Sequence, residues 1–435
     1  MRTKAQWLIV PAFSFLAAVS PAFAGDPSGP EVAAVVSGNN QFAFDLYAGL
    51  AGQEQGNLFF SPYSVSTALA MTYAGARGNT EAQMASALHF SLPQDDLHAA
   101  FGDVIGDLNG SQREGYQLNT ANRLWGQQGY GFLPEYLDVT QLNYGAELAQ
   151  VDFIGATEPT RQTINHWVEE QTQQKIKNLI PSGALSPQTR LVLTNAIYFK
   201  SDWKYKFDPD RTQLVPFWTT PDEQVNVSMM HQLNNFKHAA LPTFQILELL
   251  YTSEDLSMIA LLPNERDGLA ELEASLTAET LSQSADQMVS KKVALSIPKF
   301  GMTQKFGLSS VLSSLGMSDA FSPTAADFSG MNGEGNLHIS SVLHKAFINL
   351  DEEGTEAAAA TVVVVGTTSV GPPIPQFYAD HPFMFFIRDN RTESILFMGR
   401  VADLNVGAVG IVPEPATLSL LALGGLAMIR RRRAR

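Results

Sequence analysis

The chain has 435 residues, 45% of them hydrophobic and 16% charged, with a formal net charge of -15 and no cysteine. That is a globular composition, long enough for one large domain or two medium ones, and its negative charge argues against nucleic acid or an anionic membrane as partner. Without cysteine there is no disulfide, cysteine nucleophile or thiolate metal site, so stability must come from a large apolar core.

Residues 1–24 combine a basic start (Arg2, Lys4), an apolar middle from Trp7 to Val19 and the small-residue pattern Ala22-Phe23-Ala24. This is the pattern of a secretory signal peptide cut after Ala24. From 38 to 405 the chain reads as a single domain, with no fixed-period repeat and no long linker. Its first half reads as mainly helical. Phe42, Leu46, Tyr47 and Leu50 have helical spacing. Ser61-Pro62 is a helix start, a side-chain cap followed by proline in the first turn, and Val65, Leu69 and Tyr73 then form one apolar face. Ile164, Trp167, Val168, Ile176 and Leu179 predict another helix, closed by Pro181-Ser182-Gly183.

Strands dominate later. Leu191 to Phe199 is almost continuously apolar, as expected of a strand covered on both faces. Phe244 to Tyr251 and Leu256 to Leu262 read as two paired strands, and Val293 to Ile297, Val342 to Leu350 and Phe383 to Ile387 as others. Helices followed by strands indicate an α+β domain. At the far end, Val412-Pro413-Glu414-Pro415 precedes an apolar run, Leu418 to Ile429, and then Arg430 to Arg433. The run is short for a permanent membrane span, and its arginines would hold it on the cytoplasmic side during export. Without 1–24 and 412–435 the body keeps 21 basic and 42 acidic residues, a net charge near -21.

The informative stretch follows Val342 to Leu350. Asp351-Glu352-Glu353-Gly354 reads as a break to solvent, and Gly354 permits a backbone turn at a pivot. Thr355-Glu356-Ala357-Ala358-Ala359-Ala360-Thr361 and the run Val362 to Val365 then lack the Gly, Pro, Asn and Asp of ordinary loops. Pro372, Pro373 and Pro375 end the stretch. By composition it is a short helix stopped by the valines, a permanent strand, or a segment exposed now and added to a sheet later.

The surrounding motifs separate these readings. Glu352 to Ala359 resembles the hinge of inhibitory serpins, and Phe377 to Phe383 with Phe397 to Val401 resembles the serpin C-terminal strands. Asn57 to Ser64, Leu193 to Lys200 and Leu343 to Ala346 resemble further serpin motifs in the same order. The tail resembles the PEP-CTERM sorting signal of Gram-negative bacteria, which an exosortase-type protease removes.

The serpin resemblance implies a central β-sheet A, two further sheets, about eight or nine helices and an exposed reactive loop near 352–376. It implies a suicide-substrate mechanism: a serine protease acylates itself on the loop, which then inserts into sheet A and distorts the enzyme. The family spacing places the bait bond at Thr368-Ser369, within a window from Val365 to Val370. The implied hinge is Glu352, Gly354, Thr355, Glu356, Ala357, Ala358, Ala359 and Ala360. The implied shutter, a polar cluster under the sheet, is Ser61, Ser64, Asn195 and His344, and the implied breach above it is Trp203 and Lys299. Lys299 is placed to pair with Glu352.

No Arg or Lys lies between Gly354 and Gln376, so the expected target is an elastase-like or subtilisin-like serine protease. Catalytic motifs for hydrolases, zinc proteases, phosphate loops and dinucleotides are absent from the sequence, the eight His show no ligand spacing, and nothing calls for a cofactor. The expected product is a monomeric inhibitor, not an enzyme, exported to the envelope or exterior of a Gram-negative bacterium. The rival readings are a non-inhibitory serpin used as a binding or structural surface protein, and an envelope adhesin.

Overall fold

The computed structural model describes residues 29–110, 114–146, 148–355 and 373–404. The first helices are α1 (Pro30–Ala51), α2 (Pro62–Tyr73), α3 (Gly78–Ala87), α4 (Gln94–Asn109), α5 (Pro134–Tyr144) and α6 (Thr157–Gln171). Four short ones follow: α7 (Leu269–Ser275), α8 (Ala278–Asp286), α9 (Ser309–Ser314) and α10 (Ser329–Asn332). The strands open with β1 (Leu58–Phe60), β2 (Tyr116–Gln127), β3 (Ala149–Val151), β4 (Leu191–Asp202) and β5 (Gln213–Trp218). They continue through β6 (Gln224–Ala240), β7 (Phe244–Leu250), β8 (Leu256–Pro263), β9 (Val289–Pro298) and β10 (Phe300–Gly307). The last are β11 (Ser341–Leu350), β12 (Gly354–Thr355), β13 (Gln376–Tyr378), β14 (Phe383–Asp389) and β15 (Ile395–Val401). The domain is α+β, as expected.

One sheet has six strands in the order β10-β11-β12-β4-β2-β3. The other has nine, ordered β1-β15-β14-β8-β7-β6-β9-β13, with β5 also on β6. The two further sheets expected from the resemblance run into one another through the 17-residue β6. Its first part pairs with β5 and β9, and only Lys237–Ala240 pairs with β7.

Helix α2 sits in the middle of the core. Ser61 caps it by accepting the Ser64 N–H, Pro62 opens the first turn, and every residue from Pro62 to Tyr73 is buried. Where a single apolar face was expected, the helix is buried all round, with the hydroxyls of Ser64, Ser66, Thr67 and Thr72 hydrogen-bonded inside the core. Strand β4 is covered on both sides: Leu193, Ile197 and Phe199 join the main core, while Val192 and Ala196 join a second cluster. That cluster is closed by α6 and the chain after it, through Ile164, Val168, Ile176 and Leu179.

Two local expectations change. Helix α6 ends at Gln171 instead of continuing to Leu179. The Thr172 hydroxyl turns back to the Val168 carbonyl, and Gln173 and Gln174 adopt left-handed φ of 49° and 63°. Ile176 and Leu179 are thus buried by an irregular strap lying on the sheet, and their helix-like spacing is coincidental. The 12-residue β2 lies in the half expected to be mainly helical. Its polar residues at Asn119, Thr120, Asn122 and Arg123 hide the strand from a reading based on apolar pattern.

Candidate functional site

Strands β4 and β11 are parallel neighbours over seven register pairs, from Val192↔Ser341 to Tyr198↔Phe347. Beyond that point they part, and β12 lies between them, antiparallel to both: Thr355 pairs with Leu350 on one side and Ser201 on the other. The chain reaches this position through a tight turn, in which the Asp351 carboxylate accepts the Glu353 and Gly354 N–H groups at 3.0 and 3.3 Å. Gly354 and Thr355 of the expected hinge are therefore already strand, entering a seam that is closed below them.

Gly354 has a different task from the one its sequence context suggests. A Cβ there would lie 2.2 Å from the Ser201 carbonyl oxygen and 2.6 Å from the Asp202 Cα. Only glycine allows the hinge backbone to approach β4 so closely. Thr355 is fully buried, and its hydroxyl shares a 2.8 Å hydrogen bond with Tyr251. Tyr251 stacks on Trp203 at 4.6 Å and 9°. Trp203 in turn donates its indole N–H to the Asp351 carbonyl at 3.0 Å and its backbone N–H to that of Glu353 at 2.8 Å.

Asp351-Glu352-Glu353 does not break to solvent, contrary to the sequence expectation. Glu352 and Glu353 are 8% and 4% exposed. Glu352 accepts from Lys299 at 2.6 Å and Thr212 at 2.7 Å. Glu353 accepts from Lys206 at 2.5 Å, and Lys206 also contacts Asp202 at 3.0 Å. Burial opposes the charged form of Glu352, yet the bonds from Lys299 and Thr212 outweigh it and hold the carboxyl below its ordinary value. The Lys299–Glu352 pair is present, half-buried instead of solvated.

Under the closed part of the seam, Ser61, Ser64, Asn195 and His344 form one hydrogen-bonded cluster. Asn195 and His344 are direct register partners across β4 and β11. His344 Nε2 accepts the Ser61 N–H at 3.1 Å, so its Nδ1–H is the donor to Asn195 Oδ1. Asn195 Nδ2 reaches the Ser64 carbonyl and hydroxyl at 2.7 and 2.6 Å, and Asn122 Oδ1 at 2.5 Å. Ser61 Oγ donates to the Leu396 carbonyl at 2.6 Å. Parting β4 from β11 must break the His344–Asn195 bond.

Burial drives the His344 imidazole down to about 3, so it is neutral in the folded protein. The unfolded chain takes up this proton near pH 6.5. The depressed folded value means stability is complete above about 6.5 and is lost as pH falls toward about 3. Between pH 7 and 5 this group is expected to cost about 2 kcal/mol. Urea unfolding at both pH values checks this, and His344→Gln should remove that part of the slope.

Of the expected site residues, Glu352, Gly354, Thr355, Trp203 and Lys299 meet at the head of the seam, and the four shutter residues meet beneath it. Glu356, Ala357, Ala358, Ala359, Ala360, Thr368 and Ser369 lie outside the described residues, as do 1–24 and 412–435. Five contributors were missed. Lys206, Thr212 and Glu353 hold the turn, Tyr251 holds Thr355, and Asn122 completes the cluster. Thr212 and Tyr251 follow the end of a 3-10 turn and of β7, where no spacing rule applies.

The family model described as Serpin (serine protease inhibitor) matches residues 37–404, and that of the PEP-CTERM protein-sorting motif matches 412–433. The leukocyte elastase inhibitor of Homo sapiens is 43% identical over 376 residues, 84% of this chain and 98% of the relative. Among solved structures, uncleaved ovalbumin superposes with a TM-score of 0.77 at 31% identity, covering 85% of this chain and all of that one. Human thyroxine-binding globulin complexed with thyroxine gives 0.79 at 31%, covering 86% and 99%.

Proposed function

The chain belongs to the serpin family, and from that premise we propose that it is a suicide-substrate inhibitor of a serine endopeptidase, trapping the acyl-enzyme by loop insertion. The observation that carries this reading is the hinge strand Gly354–Thr355, already paired on both sides where β4 and β11 separate. A serine hydroxyl attacks the carbonyl of the bait residue, near Thr368, forming an ester and releasing the amine at Ser369. Zipping of the freed strand downward from Thr355 then competes with hydrolysis of that ester.

The side chains suit such zipping. Thr355 faces the main core, so alternation directs Ala357, Ala359 and Thr361 to that face, and Glu356, Ala358 and Ala360 to the face of α6. Insertion also has a cost, because the seven β4–β11 pairs must open. Roughly twelve new backbone bonds against about seven lost leave about 5 kcal/mol, and burial of two or more valines brings the drive to the order of 10 kcal/mol.

The bait region has no Arg or Lys between Gly354 and Gln376, and a relative at 43% identity is named for inhibiting leukocyte elastase. Both favour an elastase-like or subtilisin-like target over a trypsin-like one. Residues 1–24 and the matched tail favour export, exosortase-type trimming and action at the envelope or exterior of a Gram-negative bacterium. A second reading, a non-inhibitory binding serpin, draws support from the structural likeness to a globulin complexed with thyroxine.

Incubation with pancreatic elastase, subtilisin and trypsin, followed by denaturing electrophoresis, separates the readings. Inhibition predicts a complex with elastase or subtilisin that survives detergent and heat. Complete loop cleavage with no such complex contradicts it.

A further inference from the structure

Where β6, β9 and β13 lie side by side, the nine-stranded sheet buries one face through Met230, Phe236, Val293, Leu295, Ile297 and Phe377. The outer face also carries large apolar side chains: Leu233, Ile374 and Tyr378 are 46%, 43% and 36% exposed. The Pro375 carbonyl accepts the Ala294 N–H at 2.9 Å, so the stem before β13 still runs along β9. Phe377 points inward, and alternation therefore sets Ile374, Gln376 and Tyr378 on the outer side. Leu233 and Gln376 are both register partners of Ala294, and His231 and Tyr378 are both partners of Ser296. The small residues of β9 leave room between the larger ones on either side. His231 Nδ1 shares a 2.8 Å hydrogen bond with Ser296, and its ring stacks with Tyr378 at 6.5 Å and 23°.

Chain length brings this face to the bait. Thr368 precedes Ile374 by six residues, so the proposed bait bond lies within about 20 Å of Ile374 however the chain runs. A serine endopeptidase of roughly 230 residues has a radius of about 22 Å by the usual size scaling. Ile374 therefore falls inside the footprint of a protease that holds the bait, and Leu233 and Tyr378 share its face. Pro373 and Pro375 fix φ on both sides of Ile374, which lowers the cost of ordering it against a partner. Large apolar side chains gathered on one exposed face mark contact surfaces in a way that scattered ones do not.

We propose that Leu233, Ile374 and Tyr378 form a secondary contact surface for the serine protease held on the bait, an inference that rests on the inhibitory reading above. The matching part of the protease rim is apolar, because a charged one would lose water against Leu233 and Ile374 without a counter-charge. The contact slows dissociation of the first, non-covalent complex and so gives acylation more time. It also adds selectivity among proteases that accept the same bait residues.

Two measurements with pancreatic elastase test this: the rate of trapping by the active enzyme, and reversible binding of elastase whose catalytic serine is replaced by alanine. Leu233→Asp, on a strand apart from the bait, is expected to weaken binding about tenfold, a loss of about 1.4 kcal/mol, and to slow trapping by the same factor. Tyr378→Ser should act in the same direction without adding a charge. Leu142→Asp, at a position 61% exposed on α5, should change neither. Binding that depends on Leu233 and Tyr378 without any trapping keeps the surface and removes the inhibitory function. Unchanged binding in both variants overturns the surface, whether or not trapping occurs. So does an equal loss in Leu142→Asp, or failure of the inactive elastase to bind at all. A concentration-dependent dimer that Leu233→Asp dissolves would assign the face to a second copy of the chain and overturn it too.

Discussion

Replacing Thr355 with arginine is expected to turn the protein from a trap into a substrate. Thr355 is the first hinge residue with a side chain inside the sheet; it is fully buried and bonded to Tyr251. An arginine there would replace a hydroxyl held against Tyr251 in the core, and burying an unpaired charge costs several kcal/mol. That cost expels the start of the hinge strand from the seam, so zipping must first restore it, while hydrolysis of the acyl-enzyme is unaffected. Stable complex should drop by a hundredfold or more relative to cleaved product, which corresponds to about 2.7 kcal/mol in the competing barrier. Thr355→Val keeps the shape and loses one hydrogen bond, about 1 kcal/mol, and should still trap. Undiminished trapping by Thr355→Arg would mean that the loop does not follow β12 into the seam.

Glu352→Lys is the second large effect. It removes a carboxylate that accepts from Lys299 and Thr212 and sets two ammonium groups against each other at the mouth of the seam. Because the Lys299 side chain is 34% exposed, screening reduces the loss to roughly 2–3 kcal/mol. For a domain of this length that lowers the melting temperature by about 3 °C. The turn at Asp351 should loosen as well, so Thr355 and its neighbours should exchange amide protons faster. Adding Lys299→Glu to the variant should restore most of the loss; if it does not, the pair is not its source.

The strands that flank the seam were legible because apolar runs covered on both faces leave little ambiguity. Leu191 to Phe199 and Val342 to Leu350 appear as β4 and β11 almost as read. The polar cluster of Ser61, Ser64, Asn195 and His344 was legible only through motif resemblance, since four polar residues at distant positions carry no spacing signal of their own. What stayed hidden depends on tertiary contact. Glu352 and Glu353 look solvated by composition, and their burial follows from Lys206 and Lys299, 147 and 53 residues away. Gly354 looks like a pivot, and its true constraint is the backbone of Ser201. The strap after Gln171 keeps helical apolar spacing while its backbone reverses at Gln173 and Gln174.

These features converge on the hinge. A glycine fitted against β4, a threonine inside the core and two ion pairs at the turn hold the start of a strand whose continuation meets a closed seam. The direct test is thermal unfolding of the protein before and after a single cut near Thr368, the proposed bait bond. Insertion predicts that the cut protein melts more than about 10 °C higher, as a drive on the order of 10 kcal/mol requires for a domain of this size. A cut protein that melts at the same temperature or lower would contradict loop insertion.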